Sequence, residues 1–93
     1  MNIRWRNQFK KDYKHMIKQG RNIDNLDLII AELAVPNQLP DKNRDHFLKG
    51  EYANYKECHI EPDWLLIYGY EALDKNEQQL LLVRTGSHSD LLK

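Results

Sequence analysis

One cysteine, Cys58, stands in 93 residues. That excludes an internal disulfide framework and a cysteine-built zinc site, and it suits a reducing compartment, with the cytoplasm as the expected location. Surplus charge is also missing. Fourteen basic residues balance fourteen acidic ones, so no global field draws the molecule onto nucleic acid and any such attraction must be local. No apolar run approaches the roughly 20 residues that a bilayer-crossing helix needs. The opening MNIRWRNQFKK is charged where a secretory leader would have an apolar stretch, so neither membrane nor export is expected. Three prolines and four glycines leave no linker or low-complexity tract, and no internal repeat is visible. Residues 1–93 read as one domain around a single core.

Local charge does accumulate. Arg4, Arg6, Lys10, Lys11, Lys14, Lys18 and Arg21 crowd the first quarter with only Asp12 against them. Met1 to Arg6 reads as an edge strand with Ile3 and Trp5 on one face. Asn7 suits an N-cap for a helix in which Phe9, Tyr13, Met16 and Ile17 recur at helical spacing, and Gly20 suits its C′ position. The lysines fall on the other side of that helix. Asp24 suits the cap of a second helix, with Leu26, Ile29, Ile30 and Leu33 as its stripe and Pro36 as its stop. The short link predicts an antiparallel helical hairpin. Val35 to Gly50 shows neither helical nor strand periodicity and reads as a long loop carrying His46, a type of segment that is often functional.

From Tyr52 onward the pattern is that of strands: Tyr55 to Ile60, Trp64 to Tyr70 and Gln79 to Thr85, joined by Glu61-Pro62-Asp63 and Asp74-Lys75-Asn76. Pro62 lacks an amide donor and belongs in the turn. LLIY and LLLV are apolar at both parities, so these strands are expected to be covered on both faces. Two helices cover one; the other calls for a shield, and a partner segment is the expected one.

With Pro62 in a turn, His59 closes one strand while Asp63 and Trp64 open the next, and the three converge at one end of the sheet. Arg84 ends the third strand, so its guanidinium can reach the same region, and RTGSH then adds His88. His46, His59, His88, Asp63 and Arg84 are thus the candidate catalytic set. Their spacing matches no compact metal-ligand motif, and neither metal nor other cofactor is expected.

The motifs DHFLKG (45–50), YKECHIEPDWLLIY (55–68) and RTGSH (84–88), in that order behind a helical hairpin, resemble those of YafQ-type toxins in the RelE/ParE superfamily. The resemblance is close over the C-terminal half and a matter of pattern over the N-terminal half. It implies an α+β fold, a small antiparallel-rich sheet of RelE type packed against an N-terminal helical hairpin. It implies the toxin of a bacterial type II toxin–antitoxin system, cleaving messenger RNA on the ribosome and neutralised by a cognate antitoxin. His46, His59, Asp63, Trp64, Arg84 and His88 fall on matching motif positions. The alternative within the superfamily is a ParE-like toxin that binds DNA gyrase, which has no need of the histidine set. Two departures stand out. Leu92 stands where family members can carry an aromatic residue, so stacking by the C-terminus is not implied here, and Lys56 stands where arginine is expected, exchanging a fork of donors for a point charge.

RNA cleavage without a metal requires a base for the ribose 2′-OH, a cation for the phosphorane and an acid for the departing 5′-oxygen. Imidazole, with an unperturbed pKa of about 6.5, suits the first and third, and Arg84 the second. His88 is assigned the principal acid/base role. His59 and His46 share proton transfer and positioning, and Asp63 orients a histidine. Lys10, Lys11, Lys14 and Lys56 are the candidate RNA contacts, with Trp64 either a base platform or a core residue. His15 is read as a surface residue, and Cys58, at opposite strand parity to His59, as an apolar filler.

Overall fold

The computed structural model describes residues 1–35, 46–47 and 55–91. The elements run β1 (Asn2–Trp5), α1 (Asn7–Lys18), α2 (Ile23–Leu33), β2 (His46–Phe47), β3 (Lys56–Glu61), β4 (Trp64–Ala72), β5 (Gln78–Gly86) and α3 (His88–Leu91). The strands form one five-stranded sheet in the order β1-β5-β4-β3-β2. Neighbours are antiparallel, except that β1 lies parallel to β5, with Ile3 opposite Leu80 and Trp5 opposite Leu82. This is the expected α+β class.

The helices start and stop for local reasons. Helix α1 ends in a Schellman motif: Gly20, at φ 75°, donates its N–H to the Ile17 carbonyl, and the Arg21 N–H reaches back to Met16. A left-handed residue is required there, and glycine takes it without steric cost. The expected caps are each displaced. Asn7 is already helical and Arg6 precedes it without a side-chain cap. Asn22, not Asp24, caps α2, its Oδ1 accepting the Asp24 N–H at 3.2 Å. Asp24 instead adds a negative charge to the positive end of the helix. The Tyr13 hydroxyl on α1 donates to Asp27 Oδ1 on α2 at 2.8 Å. Burial, followed by that bond, pushes the phenol's pKa up to about 12.

One sheet face carries the main core. Phe9 and Met16 from α1 and Leu26, Ile30 and Leu33 from α2 pack on Cys58, Trp64, Leu66, Tyr68, Leu80 and Leu82, all buried. Trp5, Phe9 and Tyr13 form an aromatic cluster at its margin. The end of α2 is tied to β4 by the Tyr70 hydroxyl, which donates to the Leu33 carbonyl at 2.9 Å. On the opposite face Leu65, Ile67, Leu81, Val83 and Leu91 form a smaller cluster with Tyr55 against it. These side chains are buried within the single chain, so the expectation that this face needs a partner to cover it is not met.

The strand bounds agree with the sequence reading to within two residues, and an Asx turn at Asp74 closes the β4–β5 connection. Most of the expected loop, Val35 to Gly50, lies outside the described residues. Its His46 falls in the short strand β2, opposite Glu57 of β3. Helix α3 is an element that sequence periodicity did not reveal.

Candidate active site

Alternation along β3 decides which side chains share the face away from α1 and α2. Cys58 belongs to the main core, so Glu57 and His59 project to the other side. The register supports this, since Glu57 pairs with Ile67 and His59 with Leu65, both in the smaller cluster. Tyr55, just before β3, lies with them, its hydroxyl accepting from Arg6 Nη2 at 2.8 Å while the guanidinium sits 5.4 Å from the ring centre.

His88 arrives from the far end of the chain and is fastened at several points. Ser87 and Asp90 form a reciprocal capping box. Asp90 Oδ2 accepts the Ser87 N–H and Ser87 Oγ accepts the Asp90 N–H, each at 3.2 Å, which supports a helix too short to stand alone. Leu91 buries itself in the smaller cluster. Gly86 lets α3 fold back, because a Cβ there would lie 3.2 Å from the Asp90 side chain. Finally, Asp63 Oδ1 accepts from His88 twice, from the backbone N–H at 3.3 Å and from Nδ1 at 3.1 Å. The bond from the imidazole, then the one from the backbone, hold the Asp63 carboxyl below its ordinary pKa although it is exposed. Asp63 is therefore ionised, and it fixes the His88 tautomer with Nδ1 protonated and Nε2 outward.

The His59 and His88 rings lie 5.7 Å apart, centre to centre. Glu57, His59 and His88 offer ligand atoms all within 4.8 Å of one another, with Glu57 buried, His59 half-buried and His88 exposed. The pairing of His59, Asp63 and His88 read from the sequence is thus present. Glu57 was missed, although its position two residues before His59 on one strand was the available signal.

Arg84 is placed differently from expectation. Its Nε donates to Asp12 Oδ2 at 2.7 Å and its Nη2 to Oδ1 at 3.3 Å, with side-chain exposures of 23% for Arg84 and 11% for Asp12. Asp12 also accepts the Thr85 N–H at 3.2 Å, satisfying the edge of β5 beyond the last residue paired with β1. The register nonetheless keeps Arg84 in the row of the site: Glu57 pairs with Ile67, and Ile67 with Arg84, a spacing of two strands or about 10 Å. Asp12, 72 residues away in sequence, was visible only as the lone acid of the basic segment.

Trp64 is a core residue. It is 0% exposed, and its indole N–H donates to Thr85 Oγ1 at 2.9 Å, while that hydroxyl donates to the Leu65 carbonyl at 2.7 Å. It presents no face to an RNA base, so the platform reading is corrected. Lys56 pairs with Tyr68 of the main core and so lies on the face opposite His59, away from the site. Lys10, Lys11 and Lys14 are exposed on α1, as its periodicity required. Of His46 the strand position is described, and Leu92 lies outside the described residues.

A family model for a bacterial toxin of type II toxin–antitoxin systems, YafQ, matches residues 1–93. The chain belongs to the YafQ family. The mRNA interferase toxin YafQ of Escherichia coli K12 is 33% identical over 91 residues, spanning 96% of this chain and 92% of that protein. A metal-bound toxin from Helicobacter pylori shares 39% identity and a TM-score of 0.85, over 99% of both chains. In the E. coli DinJ–YafQ toxin–antitoxin complex the matching chain is 31% identical with a TM-score of 0.80, over 99% of this chain and 97% of that one. The YafQ-type toxin anticipated from the motifs is therefore shown, as is its α+β fold. Among the described residues no helix is long and apolar enough to cross a membrane.

Proposed function

We infer that this YafQ-family chain is a ribosome-dependent endoribonuclease that cleaves messenger RNA by general acid/base chemistry, restrained by a cognate antitoxin. The observation that carries the reading is the His59–His88 pair on one sheet face, with His88 held in a single tautomer by Asp63. One imidazole takes the proton of the ribose 2′-OH as O2′ bonds to phosphorus; the bond from phosphorus to O5′ then breaks, and an imidazolium returns a proton to O5′. The products are a 2′,3′-cyclic phosphate and a free 5′-hydroxyl, with no net proton change.

His88 acts with its outward Nε2, and His59 is its counterpart. His46, whose position in β2 is opposite Glu57 in the register, is assigned a share in proton transfer and positioning. Arg84, aligned by Asp12, supplies the cation for the phosphorane charge. The exposed lysines of α1 supply salt-sensitive attachment to ribosomal RNA phosphates. The balanced net charge fits weak affinity for free RNA and the need for a ribosome as scaffold. The DinJ–YafQ complex of the relative supports a toxin–antitoxin assembly, and the apolar side chains left at the surface on the helices, Ile17 and Leu28, give such a partner footing.

The test is a 5′-labelled message incubated with purified toxin, with and without translating ribosomes. Cleavage is expected with ribosomes present, and little on naked RNA. Equal cutting of naked RNA overturns the ribosome dependence. DNA damage signalling on induction, without new transcript ends, overturns the nuclease itself.

A further inference from the structure

Arg6 stands outside the catalytic set but on its side of the sheet. Trp5 packs against the main core, so strand alternation turns Arg6 toward the opposite face. Its backbone N–H still extends the β1–β5 ladder, donating to the Leu82 carbonyl at 3.1 Å. From that anchor the side chain crosses the sheet to Tyr55: Nη2 donates to the hydroxyl at 2.8 Å, and the guanidinium carbon lies 5.4 Å from the ring centre. Strands β5 and β4 lie between the two residues. Tyr55 packs against the smaller cluster yet keeps part of its ring open to solvent. The other aromatic side chains described are on the core side of the sheet, which leaves Tyr55 as the ring that shares a face with Glu57 and His59.

This pair contributes little to the fold. It is exposed, and exposed cation–π contacts are weak. Among the described residues no carboxylate pairs with Arg6. The tyrosine takes only one of its nitrogens, so the rest of a planar donor fork is available to an anion. A cation beside a partly open ring is what a single-stranded nucleotide requires, the ring for its base and the fork for its phosphate. Tyr55 lies four residues before His59, about 13 Å along the strand, a distance that an extended RNA strand bridges within a few nucleotides.

We propose that Arg6 and Tyr55 form a subsite for one unpaired nucleotide of the message, flanking the bond to be cut, with its base against Tyr55 and its phosphate on Arg6. The capacity to bind a nucleotide stands on the pair itself; its place beside the cut rests on the nuclease reading above.

The full chain, titrated at low salt with a short unstructured oligoribonucleotide whose methylated 2′-hydroxyls prevent cleavage, is expected to show NMR shifts at the Arg6 Nε–H and the Tyr55 ring. Tyr55→Leu and Arg6→Ala should each weaken that binding about tenfold, and Arg6→Ala should lower the slope of log affinity against log salt by about 0.7. Arg6→Lys keeps the charge but loses the fork, and should fall between. Lys75→Ala, an equal loss of charge in the β4–β5 connection, should bind like the parent. Because Tyr55 touches the smaller cluster, the Arg6 variants, whose urea midpoints should match the parent's, separate binding from folding. On translating ribosomes Arg6→Ala should raise KM about tenfold with kcat nearly unchanged, the mark of lost uniform binding. Removing the base of one flanking nucleotide should cost the parent as much as Tyr55→Leu costs on the intact message, and should cost Tyr55→Leu nothing further. Absent shifts at both residues, or parental binding by either Tyr55→Leu or Arg6→Ala, overturns the subsite. So does a loss of antitoxin binding alone, which would make the pair a protein contact. Additive losses at every flanking position overturn its place beside the cut. A chain that binds the oligonucleotide at Arg6 and Tyr55 but never cuts RNA leaves the subsite intact and refutes the nuclease reading instead.

Discussion

The two faces of the sheet are built from the same strands yet answer to different demands. Toward α1 and α2, large side chains such as Trp64, Tyr68 and Phe9 interlock, and nearly every buried group is apolar. On the other side the apolar cluster is small, and it gives way toward the end of β3 to a buried carboxylate, two imidazoles and an exposed aspartate. Strand alternation lets consecutive residues serve the two purposes independently: Cys58 fills the core while Glu57 and His59, on either side of it, face the site. Substitutions should therefore separate cleanly into those that cost activity and those that cost stability.

The largest expected effect is on the site face. His88→Gln should lower cleavage on translating ribosomes about 10³-fold while its urea midpoint and antitoxin binding stay near the parent's. Undiminished cleavage would remove His88 from the chemistry. Next comes the junction between the faces. Asp12→Ala removes the carboxylate that accepts from the half-buried Arg84 and from the Thr85 N–H, and should cost about 3 kcal/mol in urea unfolding. A loss of activity with no loss of stability would show Asp12 to belong to the site alone. Trp64→Phe, on the core side, should cost about 2 kcal/mol through lost volume and the lost indole hydrogen bond. Cleavage per folded molecule should hold, and a selective fall in RNA affinity would restore the platform role that burial denies it. The smallest effect lies outside both faces. Lys10, Lys11 and Lys14 reversed together to glutamate should weaken ribosome association about tenfold at moderate salt, with the unfolding midpoint little changed; sedimentation with ribosomes across a salt series is the measurement.

What could be read in advance follows from how each feature is encoded. The helices and strands were legible because their signals are periodic and local: Gly20 ends α1, Pro62 makes a turn, and LLIY and LLLV mark central strands. The grouping of His59, Asp63 and His88 was legible because a short turn fixes two of them and the family motif supplies the third. Arg84 was placed by strand order alone, which could not foresee Asp12, since that pair is brought together only by α1 packing on β5. Trp64 was ambiguous because size and aromaticity serve a core and a stacking surface equally; Thr85 decided it. The caps were misplaced by one or two residues: Asn22 and Asp24 have the same capping chemistry and only backbone geometry chooses between them, while α1 starts after Arg6 with no side-chain cap to signal it. Helix α3 escaped because four residues carry no period, although Ser87 and Asp90 spell a capping box.

The parallel pairing of β1 with β5 joins the start of the chain to a strand that begins at Gln78. During synthesis β1 must wait for its sheet neighbour until β5 has been made, and β4 lacks one of its neighbours for as long. A nascent chain released early is consequently an open sheet with no His88. On the proposed mechanism, the capacity to harm waits until β5 has paired and His88 has followed it.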